Sequence, residues 1–181
     1  MYHKEVIFET VDNKQVVYTR NKYKTVKTVS WKDVKLKVSD EIRRDSGLMI
    51  NGNKYSFVCH NDYLPGSLKP AYQEVGMEEM HIYISFSDNA ETFGRHNDED
   101  DVLIVQSIGK MAYRFDNGKT CVLSPGDSLF IPAGVYHHPI VHEPRVTLSF
   151  SDWLKGVSVL YTNDSLNRRW YKEFGSLSSR W

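Results

Sequence analysis

The sequence predicts a mainly β protein, one domain folded as a sandwich or barrel of short strands. Three observations carry this expectation. From His81 onward, short runs rich in β-branched and aromatic residues recur between Gly, Pro, Asn and Asp punctuation. Aromatic residues make up 13% of the chain, with 11 tyrosines, which suits strands and a pocket lined by rings. At 181 residues the chain is long enough for one well-buried core and short for two.

Charge and punctuation narrow the function classes. Lysine and arginine number 23 against 23 acidic residues, so no net field draws polyanions, and nucleic acid is not the expected partner. No apolar run is long enough to span a bilayer. The opening "MYHKEVIFETVDNKQ" lacks a signal-peptide core, and the reading is a cytoplasmic protein. Cys59 and Cys121 lie far apart without zinc-type spacing and are read as free thiols.

In chain order, "VIFETVDNKQVVYTR" reads as a hairpin around an Asp-Asn-Lys turn. Ser30 with Asp33 three residues on is a helix N-cap signal. Trp31, Val34, Val38 and Ile42 then follow at helical spacing, with Gly47 as the stop. In "LMINGNKYSFVCH", Asn51-Gly52 between apolar runs signals a second hairpin, and "KPAYQEVGMEEM" holds a helical turn or two. The strands expected after these are "HIYISFS", "DVLIVQSIG", "KMAYRF", "KTCVLSP", "DSLFIPAG" and "RVTLSFSDW", with an Asp-Asn-Gly turn in "FDNGKT". The tail "SLNRRWYKEF" reads as a short helix capped by Ser165 that lays Leu166, Trp170 and Phe174 on the barrel. One domain, 1–181, is expected: flanking strands and helix over 1–80, the barrel core over 81–152, and a strand with a short helix over 153–181.

The stretch "RHNDEDDVLIVQSIGK" crowds acids beside an apolar strand, which fits a solvated loop, a divalent cation site or a capping turn. His96 and Asp98 sit two apart, so on extended backbone both side chains leave the same face. Downstream, "GDSLFIPAGVYHHP" breaks a strand at Pro132 and Gly134 and places His137 three residues past the glycine. In a double-stranded β-helix such a turn returns the chain beside the first motif. His96, Asp98 and His137 then form a facial triad of two imidazoles and a carboxylate, which suits a divalent iron and leaves positions open for other ligands. Asp101 is expected to cap the strand or bond turn amides, Glu99 and Asp100 to be solvated, and His138 to face away from the site.

"GRHNDEDDVLIVQSIGKMAYRF" followed by "VLSPGDSLFIPAGVYHHPI" resembles the cupin superfamily, and within it the JmjC-like cupins that include the ribosomal-protein hydroxylases. The first motif is carried by His96, Asp98, Asp101, Val102, Gln106, Gly109 and Tyr113. The second is carried by Pro125, Gly126, Asp127, Ile131, Pro132, Gly134, His137 and His138. The resemblance covers about residues 81–152. It implies a double-stranded β-helix (cupin or jelly-roll barrel) with an N-terminal extension of strands and one or two short helices. It also implies an oxygenase that uses Fe(II), 2-oxoglutarate and dioxygen to hydroxylate a C–H bond, with His96, Asp98 and His137 as metal ligands.

One position departs from the family. Where the family carries a basic residue for the distal carboxylate of 2-oxoglutarate, this chain has Met111, and Lys110 and Arg114 fall on the opposite face of the strand. The replacement cation is Arg145, followed by Thr147, because many 2-oxoglutarate oxygenases carry such an Arg on the last core strand. On "HIYISFS", Tyr83 and Ser85 share a polar face, as Thr147 and Ser149 do on "RVTLSFS". These faces either contact the cosubstrate or meet solvent. Gln106 is read as a buried structural amide. Two alternatives stay open: a metal-binding cupin that acts without 2-oxoglutarate, as a dioxygenase or isomerase, and a non-catalytic cupin that binds a small molecule. The expected partner is a small-molecule or peptide substrate, and the N-terminal strands allow a homodimer.

Overall fold

The structure is a computed structural model that describes residues 4–44, 49–51 and 56–151. Its elements, in order, are strands β1 (Glu5–Glu9) and β2 (Gln15–Thr19), a short 3-10 helix (Thr25–Thr28) and helix α1 (Trp31–Arg44). Strands β3 (Met49–Asn51) and β4 (Ser56–Cys59) follow, then helix α2 (Leu68–Val75) and strands β5 (Glu79–Ser85) and β6 (Val102–Ile108). The chain continues through β7 (Met111–Phe115), β8 (Thr120–Leu123), β9 (Ser128–Ile131), β10 (His137–Val141) and β11 (Arg145–Ser151). Among the described residues these strands form an eight-stranded sheet in the order β1-β2-β9-β6-β11-β5-β4-β3 and a three-stranded sheet in the order β10-β7-β8. Every strand pairing is antiparallel, and the two layers wrap as a jelly-roll barrel. No helix among the described residues is long and apolar enough to cross a membrane.

The alternation of β5 and β11 decides where the pocket lies. Met80, Ile82 and Ile84 of β5 and Val146, Leu148 and Phe150 of β11 are fully buried and pack with Val34 of α1 and Leu68 of α2. The helices therefore cover the outer face of the large sheet. This turns His81, Tyr83 and Arg145 toward the barrel interior, because successive side chains on a strand leave opposite faces. A second core, with Val16, Ile104, Met111, Leu123 and Leu129, fills the space between the two sheets.

Local signals placed most elements. Asn13 takes the left-handed conformation (φ 58°) in the β1–β2 turn, and Gly118 does so (φ 80°) in the Asp-Asn-Gly turn between β7 and β8. The Asp33 amide donates to Ser30 Oγ (3.2 Å), capping α1 as the Ser-x-x-Asp spacing predicts. Bonds from Ser67, with a further one from Ser30, hold the Asp33 carboxyl below the usual carboxylate range. The paired strands β3 and β4 close at Asn51 opposite Ser56. Residues 52–55, with the Gly52 turn, lie outside the described residues, as do Gly47 and the predicted tail helix with Ser165, Leu166, Trp170 and Phe174.

Two expectations are corrected. Ile42 is 59% exposed, so the buried stripe of α1 is not the purely apolar one its spacing suggests. Lys37 and Glu41 take that place: Lys37 Nζ lies 2.6 Å from Glu41 and 2.5 Å from Asp62, and the His60 amide donates to Glu41 (3.1 Å). A buried cation with two carboxylate partners fastens α1 to the segment after β4. The second correction is β10, a strand not separately predicted. Its Pro139 lies opposite Tyr113 in the small sheet, where β10 is an outer strand and the missing N–H is tolerated.

Candidate metal centre

The two ligand-bearing segments are joined by backbone before any side chain is considered. The His96 amide donates to the His137 carbonyl (3.0 Å) and the His137 amide to the His96 carbonyl (2.8 Å), an isolated antiparallel bridge that extends the small sheet. The Gly134 amide donates to the Asp98 carbonyl (2.8 Å), and the Ala133 amide donates to the Asp101 carboxylate (2.7 Å). Asp101 thus bonds a turn amide, as the sequence suggested, and holds the Pro-x-Gly turn that delivers His137. Glu99 is exposed. Asp101→Ala should weaken Co(II) binding about tenfold while leaving the circular-dichroism spectrum unchanged; competition with a chromogenic chelator measures it.

On this frame the ligand atoms of His96, Asp98 and His137 all lie within 4.8 Å of one another, and they are the one such group of three found among the described residues. The imidazole centroids are 4.5 Å apart, and His137 Nε2 is 3.6 Å from Asp98 Oδ2. His96 Nδ1 lies 2.9 Å from the Gly94 carbonyl, and His137 Nδ1 lies 3.0 Å from the Val135 carbonyl. A carbonyl can only accept, so each Nδ1 carries the proton and donates. Each Nε2 then offers a bare lone pair to the shared space. Fixing the tautomer through a backbone carbonyl is what metal-ligating histidines require. Three convergent donors with no proton between the imidazoles suit a divalent cation.

Burial lowers the His137 pKa below its ordinary 6.5, and burial does the same for His81 against a partial offset from Glu79. The unfolded chain therefore takes up protons that the folded chain refuses. The metal-free protein should lose stability as pH falls through about 6.5, with the slope set by the protons gained on unfolding. Denaturant titrations at several pH values between about 7.5 and 5.5 check this sign; rising stability over that range would contradict it.

The same cavity, about 530 Å³ and partly open to solvent, extends from the triad to Tyr83, Met111, Tyr113 and Arg145. Arg145 is 4% exposed. Its Nη1 donates to the Tyr83 carbonyl at 3.3 Å, its Nε is buried without a partner, and no carboxylate of the described residues pairs with it. Burial pulls this guanidinium below its ordinary pKa. The guanidinium lies 5.7 Å from the Tyr83 ring centroid. Burial pushes the Tyr83 hydroxyl up to about 12 and raises Tyr113 as well, so both remain neutral donors.

The structure therefore brings His96, Asp98, His137, Tyr83 and Arg145 to one cavity. It places Ser85 and Thr147 outside the cavity lining, although they lie on the same strand faces. Ser85 Oγ is 3.2 Å from Ser56 Oγ, and Thr147 Oγ1 donates to Gln106 Oε1 (2.8 Å). Both hydroxyls are committed, which corrects the expectation that they contact a cosubstrate. Gln106 also donates to the Ile108 and Gly109 carbonyls (2.7 and 3.1 Å), a fully bonded buried amide as read. Sequence reasoning passed over two lining residues, Tyr113 and Phe93. The inward period-two phase of Met111, Tyr113 and Phe115 could have found the first, whereas Phe93 sits in an irregular loop with no such signal.

Residues 84–151 of this jelly-roll chain match the family model described as a cupin domain. No curated protein matches the chain in sequence. Among solved structures, it is similar to a cupin superfamily protein from Desulfitobacterium hafniense (16% identity, 56% of this chain and 82% of that one, TM-score 0.41). It is similar to YcfD, a ribosomal oxygenase from Escherichia coli in complex with cobalt and succinic acid (17% identity, 99% of this chain and 46% of that one, TM-score 0.44). A third is a variant of salicylate 1,2-dioxygenase from Pseudoaminobacter salicylatoxidans (16% identity, 68% of this chain and 34% of that one, TM-score 0.46).

Proposed function

We propose that the protein is a JmjC-like Fe(II)- and 2-oxoglutarate-dependent oxygenase. The observation that carries the proposal is Arg145: a buried guanidinium without a carboxylate partner, facing the cavity that His96, Asp98 and His137 also face. Burying an unpaired cation is costly, and a ligand carboxylate removes the cost. The metal would be held by Nε2 of both histidines and the Asp98 carboxylate, the ligand set of non-haem iron oxygenases. When bound, Fe(II) with 2-oxoglutarate and dioxygen supplies the oxidation in which a substrate C–H becomes C–OH and the 2-oxo acid leaves as succinate and carbon dioxide.

The remaining work belongs to the chain. Arg145 takes the distal carboxylate, and the neutral Tyr83 and Tyr113 hydroxyls provide further donors. The carbonyls of Gly94 and Val135 keep both imidazoles in the ligating tautomer. Met111 and Ile104 supply apolar wall and exclude water from the cavity. The substrate is a small molecule or a peptide side chain.

The test is conversion of 2-oxoglutarate to succinate by the Fe(II)-loaded protein in air without added substrate. Slow, Fe(II)-dependent succinate formation that falls away in an Arg145 variant is the expected result. Tight metal binding with no succinate would remove 2-oxoglutarate from the account. It would favour a metal-dependent cupin of another reaction type, the alternative that Met111, in place of the family's basic residue, supports.

A further inference from the structure

A row of rings runs along one side of the cavity, and the metal-centre chemistry leaves it unused. Starting from the ligand His96, Phe93 stands edge-on at 6.1 Å and 74°. Tyr83 follows at 6.1 Å and 87°, then His81 at 6.4 Å and 90°, then His60 at 5.0 Å and 84°. Each ring meets the next close to perpendicular, an arrangement the ring quadrupole favours and which fixes the row as a unit.

Phe93 differs from its neighbours in being 43% exposed although it lines the cavity. Its loop is tied down on both sides of it. The Ser56 hydroxyl donates to the Glu91 carbonyl (2.6 Å), the Thr92 hydroxyl donates to the Pro139 carbonyl (2.8 Å), and the Gly94 amide donates to Thr92 Oγ1 (3.2 Å). A large apolar ring is thus held half in water beside a metal ligand, where covering it would be favourable. We infer that Phe93 is the specificity-determining wall of the site, selecting substrates that carry an apolar or aromatic group next to the reacting carbon. The inference rests on the metal-binding part of the proposed function and is independent of 2-oxoglutarate.

The test uses Co(II)-loaded protein and two probes that coordinate an open metal position, imidazole and 4-phenylimidazole, with binding read from the cobalt absorption spectrum. The wild-type chain should prefer 4-phenylimidazole by about tenfold, and Phe93→Ala should bring the two probes close to parity. Phe93→Leu keeps an apolar side chain, guards against a folding defect, and should fall between. An equal preference in wild type and Phe93→Ala, or none in wild type, overturns the assignment of the wall while leaving the metal site intact. A cobalt spectrum that responds to neither probe overturns the metal-centre reading and the inference with it.

Discussion

Co(II) or Fe(II) will bind the His137→Ala protein about a hundredfold or more less tightly than the wild-type chain, while the far-ultraviolet spectrum remains that of a β protein. Affinity should collapse because His137 supplies one of only three side-chain donors, and it is the most buried of them. The fold should persist because the bridge between residues 96 and 137 is made by backbone groups that the substitution leaves in place. Asp98→Ala should behave alike. His138→Ala is the internal control: it pairs across from Arg114, lies next to the ligand in sequence, and faces away from the centre, so metal binding should survive. Calorimetric titration of the four proteins decides the matter, and equal loss in the His138 variant would undo the assignment of ligands.

The second large effect has two opposite signs in one variant. Arg145→Met should weaken 2-oxoglutarate binding to the metal-loaded protein roughly a hundredfold, about 3 kcal/mol, because a charge-assisted contact to the carboxylate is lost. The ligand-free protein should become more stable, by about 1–2 kcal/mol, because an unpaired buried guanidinium is replaced by a thioether of similar length. That stabilisation follows from the orphaned Nε and the long 3.3 Å bond to the Tyr83 carbonyl, which leave the cation poorly compensated. Iron affinity should be little altered. Thermal unfolding with and without 2-oxoglutarate measures both signs at once. A variant that loses stability and keeps 2-oxoglutarate binding would show that Arg145 is structural.

How much of this was legible in the sequence depended on whether the controlling interaction was local. The N-cap at Ser30, the left-handed turn glycine at Gly118 and the alternation of β5 and β11 are each set by neighbours in the chain, and each was readable. The convergence of His96, Asp98 and His137 was readable because turn residues, here Pro132 and Gly134, mark where the strand breaks. Partners distant in sequence were invisible. Lys37 looks like a surface residue until Asp62 is brought to it, and Ile42 looks like core until Lys37 and Glu41 take its place. Ser85 and Thr147 shared the correct strand faces, yet Ser56 and Gln106 claim their hydroxyls across the sheet. Strand β10 escaped notice because "HHPIV" has neither alternation nor β propensity; its pairing with β7 makes it a strand.

Anomalous scattering from crystals grown with Co(II) tests the central claim most directly. The account predicts one dominant peak about 2.1 Å from Nε2 of His96, Nε2 of His137 and an oxygen of Asp98. No peak there, or a cobalt ion bound elsewhere while these three side chains hold none, would contradict it.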